Sequence, residues 1–386
     1  MGITIEIDNL AGIDYTEYYI TGFWQLKEKG LIDRVKITCG TDPWGIKVKP
    51  GYFPYIYRKI YRYKGGQLLP FLIKPLTVTN PELGDIHQFF LFGRITEGKR
   101  SKTFVIDTSD VPWDFRYIDT TNFYFKSQFP KTFSKGYVDL SRHERFSIPE
   151  NAIANSKKIH PLILGRPLGR ILDFSLNKRL LNRYAQMRAH TKRKIRLLAF
   201  LGTMIDGFSL STSTHPPSIK RAELVTKAHQ QIPGSKCILS ISKEIEEMNI
   251  SAETLALKNR IPVTDRKYQR LIYDSYATLN ITGAAGSIPW RILDGFLSGM
   301  IPISDNFLVD WYEPLTPGKD FLSIGNLGYE LLQDVNIEDS FLQLKDYVEN
   351  IETYYLSTAE ERAEKFNNYF SPESVARYML SEMGYL

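Results

Sequence analysis

The residues of this chain best placed to do chemistry are Arg291 and Asp294, which lie three positions apart behind a run of small residues. Residues three apart share one face of a helix, so a single predicted helix presents both side chains together. A guanidinium beside the N–H groups that begin a helix binds phosphate. We therefore predict an anion site here, with Ser287 as the helix N-cap. The alternative is a solvated ion pair between Arg291 and Asp294.

The segment around these two residues alternates between strand and helix signals. The predicted elements are a strand over 277–281, a loop over 282–286, a helix capped by Ser287 and closed by Gly299, and a strand over 301–304. Gly283 and Gly286 keep the loop free of bulky side chains, so a ligand can approach the backbone. A strand, a small-residue loop and a helix in this order are typical of a phosphate site in an α/β protein.

This segment resembles the donor-binding element of GT-B glycosyltransferases, most closely the exostosin-like branch, in which a Ser-Pro-Arg run precedes an acidic residue, a Gly and Ile-Pro-Val. The resemblance implies that Arg291 meets the diphosphate of a nucleotide sugar and that Asp294 lies near the ribose hydroxyls. It matches Gly299 and Pro302 to the turn into the next strand. It covers the second half of the chain, and the first half only in its general α/β pattern.

The apolar run 195–201 predicts a strand buried on both faces, as in a parallel sheet. Gly202 and Thr203 end this strand. In exostosin-like proteins the first donor-domain strand ends in a similar small-residue turn, and an arginine then begins a helix. The resemblance therefore implies that Arg221 also contacts phosphate.

The pattern of the first half predicts a βαβ unit, with strands over 3–7 and 34–38 around a helix over 15–29. Asp14 follows the first strand, at the sheet edge where open α/β folds bind ligands. Two further strands are predicted over 88–93 and 103–106. Acidic residues at these strand ends, Asp14, Glu17, Asp107 and Asp110, are the candidates for a general base, with Asp14 and Asp107 ranked first. Turn formation and capping explain the same residues as well.

The chain has 386 residues, more than one hydrophobic core usually supports. A basic run over 188–196 interrupts the apolar pattern and marks the predicted junction. We expect an acceptor-side domain over 1–190 and a nucleotide-sugar-binding domain over 191–386 that includes the terminal helix. The predicted fold class is α/β, a GT-B architecture of two Rossmann-like domains that face each other across a cleft.

The resemblance implies displacement of a nucleoside diphosphate by a hydroxyl of a glycan or glycolipid acceptor, in polysaccharide biosynthesis. The donor would be a UDP- or GDP-sugar used as substrate, with no cofactor. Retaining GT-B enzymes often carry a glutamate eight residues before the ribose-contacting acid, where this chain has Gly286, so we expect inversion. No Asp-x-Asp or spaced histidine pair indicates a metal ligand, and we expect a metal-independent reaction.

The composition of the chain bears on its disulfides, its location and its partners. Only Cys39 and Cys237 are present, far apart, which predicts no structural disulfide. No signal-peptide or membrane-spanning pattern appears, so a cytoplasmic location is expected, with peripheral membrane contact left open and the oligomeric state unassigned. The net charge of +6 favours anionic partners without choosing among them.

Two other functions stay open at this point: a catalytically inactive sugar-binding scaffold of the same fold, and a basic nucleic-acid-binding protein. The stretch 55–66 interleaves tyrosines with arginines and lysines, which suggests stacking on sugars, binding of a lipid diphosphate or binding of nucleic acid, although an amphipathic segment explains it better. His215, in a Ser/Thr/Pro loop, is a weaker donor-site candidate. No nucleic-acid motif is present, and we predict no nucleic-acid partner.

Overall fold

The computed structural model describes residues 2–8, 15–38, 90–139, 145–166, 168, 174–203, 217–241, 246–247, 250–259, 265–283, 286–325 and 337–386. Asp14, His215 and the stretch 55–66 lie outside these ranges, and the predictions made for them stay predictions.

The strands are numbered along the chain. They are β1 (Ile3–Asp8), β2 (Arg34–Thr38), β3 (Phe90–Glu97), β4 (Arg100–Asp107), β5 (Phe123–Lys126), β6 (Phe129–Pro130), β7 (Tyr137–Asp139), β8 (Arg145–Ser147), β9 (Ile159–Pro161), β10 (Ile195–Thr203), β11 (Ser235–Ile241), β12 (Ser275–Leu279), β13 (Ile301–Ser304), β14 (Val309–Asp310) and β15 (Leu322–Ser323). The strands predicted over 34–38 and 301–304 are confirmed, whereas the one predicted over 277–281 lies over Ser275–Leu279.

The α-helices are α1 (Thr16–Glu28), α2 (Glu150–Ala154), α3 (Phe174–Arg188), α4 (Pro217–Gln231), α5 (Ala252–Ala256), α6 (Asp265–Asp274), α7 (Trp290–Ser298), α8 (Ile337–Glu349), α9 (Ile351–Lys365) and α10 (Pro372–Glu382). Helix α10 is capped by Ser371, whose hydroxyl accepts the N–H of Ser374 at 3.2 Å. Helix α7 ends as predicted, with Gly299 at φ 80°, a left-handed conformation that favours glycine.

The first sheet has the order β2-β1-β3-β4-β5-β9 and is mixed. Strands β1 and β2 are parallel across α1, which confirms the βαβ unit predicted at the N-terminus. The hairpin β3–β4 inserts two antiparallel pairings between β1 and β5, while β4, β5 and β9 run parallel. The carboxyl ends of β1, β4 and β5 therefore lie at one edge of the sheet.

The second sheet is entirely parallel, in the order β11-β10-β12-β13-β15. Its first strand in the chain, β10, lies next to the centre and carries the apolar run predicted to be buried on both faces. The α/β fold class is confirmed, with two large sheets and two sheets of two strands each in the described residues. The two large sheets are what the predicted pair of Rossmann-like domains requires, although the first one contains antiparallel strands.

A shared hydrophobic core joins the halves 1–190 and 191–386. It brings together Phe23 of α1, Phe104 of β4, Phe296 of α7 and Met379 of α10. Helix α10 packs on α1 so closely that a Cβ added at Gly22 would lie 2.0 Å from the Pro372 carbonyl oxygen. The terminal helix thus packs against the first half, and the predicted domain boundaries stay predictions.

Strand pairing also links the halves, because β6 of the first half pairs with β14 of the second. Within the described residues, no helix combines the length and the apolar composition needed to cross a membrane.

Candidate functional site

The connections of the second sheet create a crevice at one strand pair. In its order β11-β10-β12-β13-β15, the chain runs from β10 to β11 on one side and from β12 onward on the other. Open α/β sheets bind ligands outside the carboxyl ends of the strands at this topological switch point. Here it lies between the ends of β10 and β12. Gly202 faces open space there, since no described atom lies within 4 Å of the position a Cβ would take.

The loop after β12 is held in one shape by a carboxylate that the sequence analysis missed. Asp305, which directly follows β13 and is fully buried, accepts the N–H and the hydroxyl of Thr282, both at 2.7 Å. Arg221 donates to the Thr282 carbonyl oxygen on the same loop. The structure therefore places the Arg221 guanidinium on the backbone of the predicted donor loop, and its contact with phosphate stays a prediction.

The small residues of this loop allow a tight turn. The Gly283 N–H donates to the Ser287 carbonyl oxygen at 3.2 Å. Gly286 has φ 66°, and a Cβ there would lie 2.6 Å from Cγ of Leu308, so only glycine fits. Glycine at position 286 thus allows close packing on Leu308.

Ser287 is not the N-cap of α7, so that prediction is wrong. The helix begins at Trp290, Pro289 is its N-cap, and no side chain caps it. The physical reason lies at Ile288, because a residue before proline is disfavoured in the α region. The backbone N–H and C=O of Ile288 instead bond to the side chain of Gln128 at 3.0 and 3.1 Å.

Arg291 lies on the first turn of α7, next to the switch point. Its guanidinium carbon is 4.7 Å from the centroid of the Trp290 ring and 5.3 Å from that of Phe200 on β10. Its Nε is buried without a hydrogen-bond partner, and among the described residues no carboxylate pairs with it. Aromatic faces stabilise a cation without neutralising its charge. This arrangement leaves Arg291 available to an anionic ligand.

Asp294 is engaged inside the protein. Its side chain has no exposure, and its two oxygens accept bonds from Arg166 Nε of the first half and, at 2.8 Å, from the Tyr268 hydroxyl. The solvated pair between Arg291 and Asp294 is therefore wrong. The predicted ribose contact of Asp294 stays a prediction, and it would require this buried network to open.

The electrostatics of this network follow from its burial. Burial raises the pKa of Tyr268 well above its usual value, and the Asp294 carboxylate raises it further, while Arg291 and Arg166 oppose the shift. Burial alone would lower the pKa of Arg166, but Asp294 beside it reverses the direction and raises it. Tyr268 is thus a neutral hydrogen-bond donor, and Arg166 keeps its positive charge.

Asp107 is not placed to act as a general base, and this prediction is corrected. It is fully buried, and its Oδ2 accepts from Lys126 Nζ at 2.5 Å and from the Tyr124 hydroxyl at 2.7 Å. Its Oδ1 accepts the N–H and the hydroxyl of Ser109 at 2.8 and 2.6 Å. A carboxylate with these four donors and no solvent contact anchors the strand ends. Asp110 is exposed and stays a candidate.

The N-terminus of α1 lies beside the loop that carries Arg166. The Tyr19 hydroxyl donates to the Ile163 carbonyl oxygen at 2.9 Å and accepts the Gly165 N–H at 3.0 Å. A Cβ at Gly165 would lie 3.0 Å from the carbonyl oxygen of Tyr15, the residue that follows Asp14. Buried Glu17 accepts the Leu168 N–H at 3.3 Å. The loop thus bridges the start of α1 and the start of α7.

No cluster of three or more histidine, cysteine, aspartate or glutamate side chains able to hold a metal ion occurs in the described part of the chain. Thr203 ends β10 as predicted. Arg166, Tyr268, Gln128 and Asp305 are the site residues that sequence reasoning missed. The only local signal was at Asp305, an acid directly after a predicted strand.

Three solved structures are similar to parts of this chain. The GtfA/B complex matches with 13% identity and a TM-score of 0.38, over 70% of this chain and 54% of that chain. The catalytic domain of starch synthase IV from Arabidopsis thaliana, bound to ADP and acarbose, matches with 10% identity and a TM-score of 0.36, over 69% and 56%. TarM matches with 11% identity and a TM-score of 0.36, over 77% and 66%. The chain thus spans between about half and two thirds of these proteins. No protein-family model and no curated protein sequence matches it.

Proposed function

We propose that this protein is a GT-B glycosyltransferase that moves a sugar from a nucleoside-diphosphate donor to a hydroxyl group of a glycan or glycolipid. The observation that carries the proposal is Arg291, a half-buried cation held on two aromatic rings beside the switch point of a parallel sheet. A diphosphate supplies the negative charge that this guanidinium lacks among its described neighbours.

The same geometry suits the chemical step. Breaking the bond between the anomeric carbon and the diphosphate leaves negative charge on the departing phosphate. Arg291 and the start of α7 would stabilise that charge, because fixed dipoles and cations act strongly where water is excluded. Arg221 holds the adjacent loop through the Thr282 carbonyl oxygen and lies at the same end of the sheet.

The acceptor hydroxyl needs a base, and Asp14 is the carboxylate we propose. Its neighbour Tyr15 lies against Gly165, in the loop that carries Arg166 to α7. A single base acting on the acceptor, without an enzymic nucleophile, gives inversion at the anomeric carbon. We further propose a metal-independent reaction with a UDP- or GDP-sugar, in the exostosin-like manner, in the cytoplasm.

A second candidate function is an inactive sugar-nucleotide-binding scaffold. The observation that favours it is the burial of Asp107, because one of the two best-ranked bases is thereby committed to Lys126. A scaffold would bind the nucleotide and lack transfer.

A thermal-shift panel of UDP, GDP, CDP and ADP tests the binding function. One of them should stabilise the protein, since a ligand at a hundred times its Kd adds about 2.7 kcal/mol to the free energy of unfolding. Absence of any shift would reject the transferase and the scaffold together. Release of free nucleoside diphosphate from the matching nucleotide sugar, in the presence of EDTA, then separates an enzyme from a scaffold.

A further inference from the structure

Gln128 binds the backbone of a single residue in the opposite half of the chain. It is fully buried in the short turn between β5 and β6. Its Oε1 accepts the N–H of Ile288 at 3.0 Å, and its Nε2 donates to the carbonyl oxygen of the same residue at 3.1 Å. A side-chain amide carries a donor and an acceptor in one plane, so it substitutes for a neighbouring strand.

Ile288 directly precedes Pro289, the N-cap of α7. Its two backbone groups have no helical partners, and Gln128 satisfies both of them inside the protein. The direction in which the chain enters α7 is therefore fixed by a side chain of the first half. Arg291 lies three residues beyond this contact, on the first helical turn.

The backbone segment that carries Gln128 is itself held in place. Lys126, two residues earlier, is buried and donates to Asp107 Oδ2 and to the carbonyl oxygens of Val111 and Asp114 at 2.8 and 2.9 Å. The Ser127 N–H donates to the Asp107 carbonyl oxygen at 2.9 Å. Asp107 thus contributes to the site by holding this turn.

A second set of contacts runs beside Gln128 to the same segment. The Lys131 N–H donates to the Leu308 carbonyl oxygen at 3.0 Å, and the Leu308 N–H donates to the Gly286 carbonyl oxygen at 3.1 Å. Together with the β6–β14 pairing, these bonds hold Gly286, in the segment that precedes α7, through Leu308. Among the described residues, Gln128 is the one whose side chain hydrogen-bonds to the Ile288 backbone, so it fixes the entry into the helix.

We propose that Gln128 is a positioning residue for the diphosphate site: through Ile288 it holds the start of α7 so that Arg291 meets the ligand. This inference rests on the proposed function of Arg291. It also makes the donor site dependent on the first half of the chain, because the turn that presents Gln128 belongs to β5 and β6.

The test uses inorganic pyrophosphate as the probe, with calorimetry on the full chain. Gln128→Met keeps the side-chain length and removes both bonds, and it should weaken binding about tenfold. In the Arg291→Ala background the same change should alter affinity less than about twofold, because the group that it positions is gone. Val348→Ala is the control for general destabilisation, since Val348 belongs to a separate core cluster that contains no described residue of α7. It should leave pyrophosphate affinity unchanged.

Additive losses in the double variant, or wild-type affinity in Gln128→Met, would overturn the positioning role. Amide hydrogen exchange of the protein without ligand tests independently whether Gln128 holds the start of α7. Gln128→Met should speed exchange at Ile292, whose N–H bonds to Pro289 in the first turn of α7. Unchanged exchange there would also overturn the inference. Wild-type pyrophosphate binding by Arg291→Ala would instead reject the proposed function, and the exchange result would still decide whether Gln128 holds the helix start.

Discussion

Arg166 in the first half and Asp294 in the second form an ion pair almost without solvent contact, with side chains 7% and 0% exposed. The guanidinium carbon of Arg166 also lies 4.6 Å from the centroid of the Tyr184 ring. The two residues are 128 positions apart, so this pair ties together segments that meet only in the folded protein. It fixes α7 against the loop that crosses the start of α1.

Removing one partner of this pair should be strongly destabilising. Asp294→Ala leaves a buried guanidinium without its carboxylate, and we expect the free energy of unfolding to fall by about 3–5 kcal/mol. Urea unfolding measures the change. The double variant Arg166→Met with Asp294→Leu should recover most of the loss, because neither charge then remains buried. A loss below about 1 kcal/mol in Asp294→Ala would show that Asp294 is not held as described.

Arg291→Ala should weaken binding of the stabilising nucleoside diphosphate about 10- to 100-fold, the worth of a charge-assisted phosphate contact. The free energy of unfolding should change little, because this side chain makes ring contacts and no ion pair with a described residue. Arg291→Lys should bind with intermediate affinity, since an ammonium keeps the charge and loses the planar fork.

Arg179→Ala is the matched control for the loss of one positive charge. Arg179 is exposed on α3. The Arg179→Ala variant should bind the nucleotide with the affinity of the wild type. Equal losses in both variants would assign the effect to net charge, and unchanged affinity in Arg291→Ala would remove the proposed anion site.

Local patterns predicted much of the second sheet. The apolar run of β10, the strand β13 and the glycine that closes α7 are all set by residues close in the chain. The alternative of a solvated pair between Arg291 and Asp294 failed for the opposite reason. Asp294 has no exposure because residues distant in the chain, Arg166 and Tyr268, contact both of its oxygens.

Contacts across the halves left no signal in the sequence. Gln128 and Ile288 are 160 residues apart, and nothing near either residue indicates the other. Asp107 shows the same limit, since its position at a strand end fits a general base and a structural anchor equally. Only Lys126, brought beside it by the parallel pairing of β4 and β5, decides for the anchor.

Asp107→Asn and Asp14→Asn should therefore behave differently. Asp107→Asn removes the charge that compensates buried Lys126, and we expect a loss of about 3–5 kcal/mol in the free energy of unfolding. Asp14→Asn should leave stability and nucleotide affinity unchanged and slow sugar transfer by about 100-fold or more, as expected for loss of a general base. Urea unfolding and initial rates of transfer measure the two effects.

Product NMR completes this comparison. The wild type should give the anomeric configuration opposite to that of the donor. Retention of configuration, or full transfer activity in Asp14→Asn, would exclude Asp14 as the base. Asp110→Asn would then be the next variant to measure, because Asp110 is exposed three residues beyond the end of β4.

His160 should make the stability of the protein depend on pH. It lies on β9 with Nδ1 2.7 Å from Glu382 Oε2 on α10, so it joins the first sheet to the terminal helix. Burial lowers the pKa of His160 below its usual 6.5, and Glu382 offsets only part of that shift. Between the lowered folded pKa and 6.5, the unfolded chain binds a proton that the folded protein does not. Stability should therefore fall as the pH drops below 6.5.

Urea unfolding at pH 7.5 and pH 5.5 measures this contribution. It acts only below pH 6.5, so over the one pH unit down to 5.5 it cannot exceed about 1.4 kcal/mol for one group. His160→Gln removes the titrating ring, so its free energy of unfolding should fall less between the two pH values than that of the wild type. Glu382→Gln should fall more, because without the carboxylate burial lowers the pKa of His160 further. An identical pH dependence in all three proteins would mean that His160 keeps its ordinary pKa in the folded protein. The contact between His160 and Glu382 would then make no pH-dependent contribution to the free energy of unfolding.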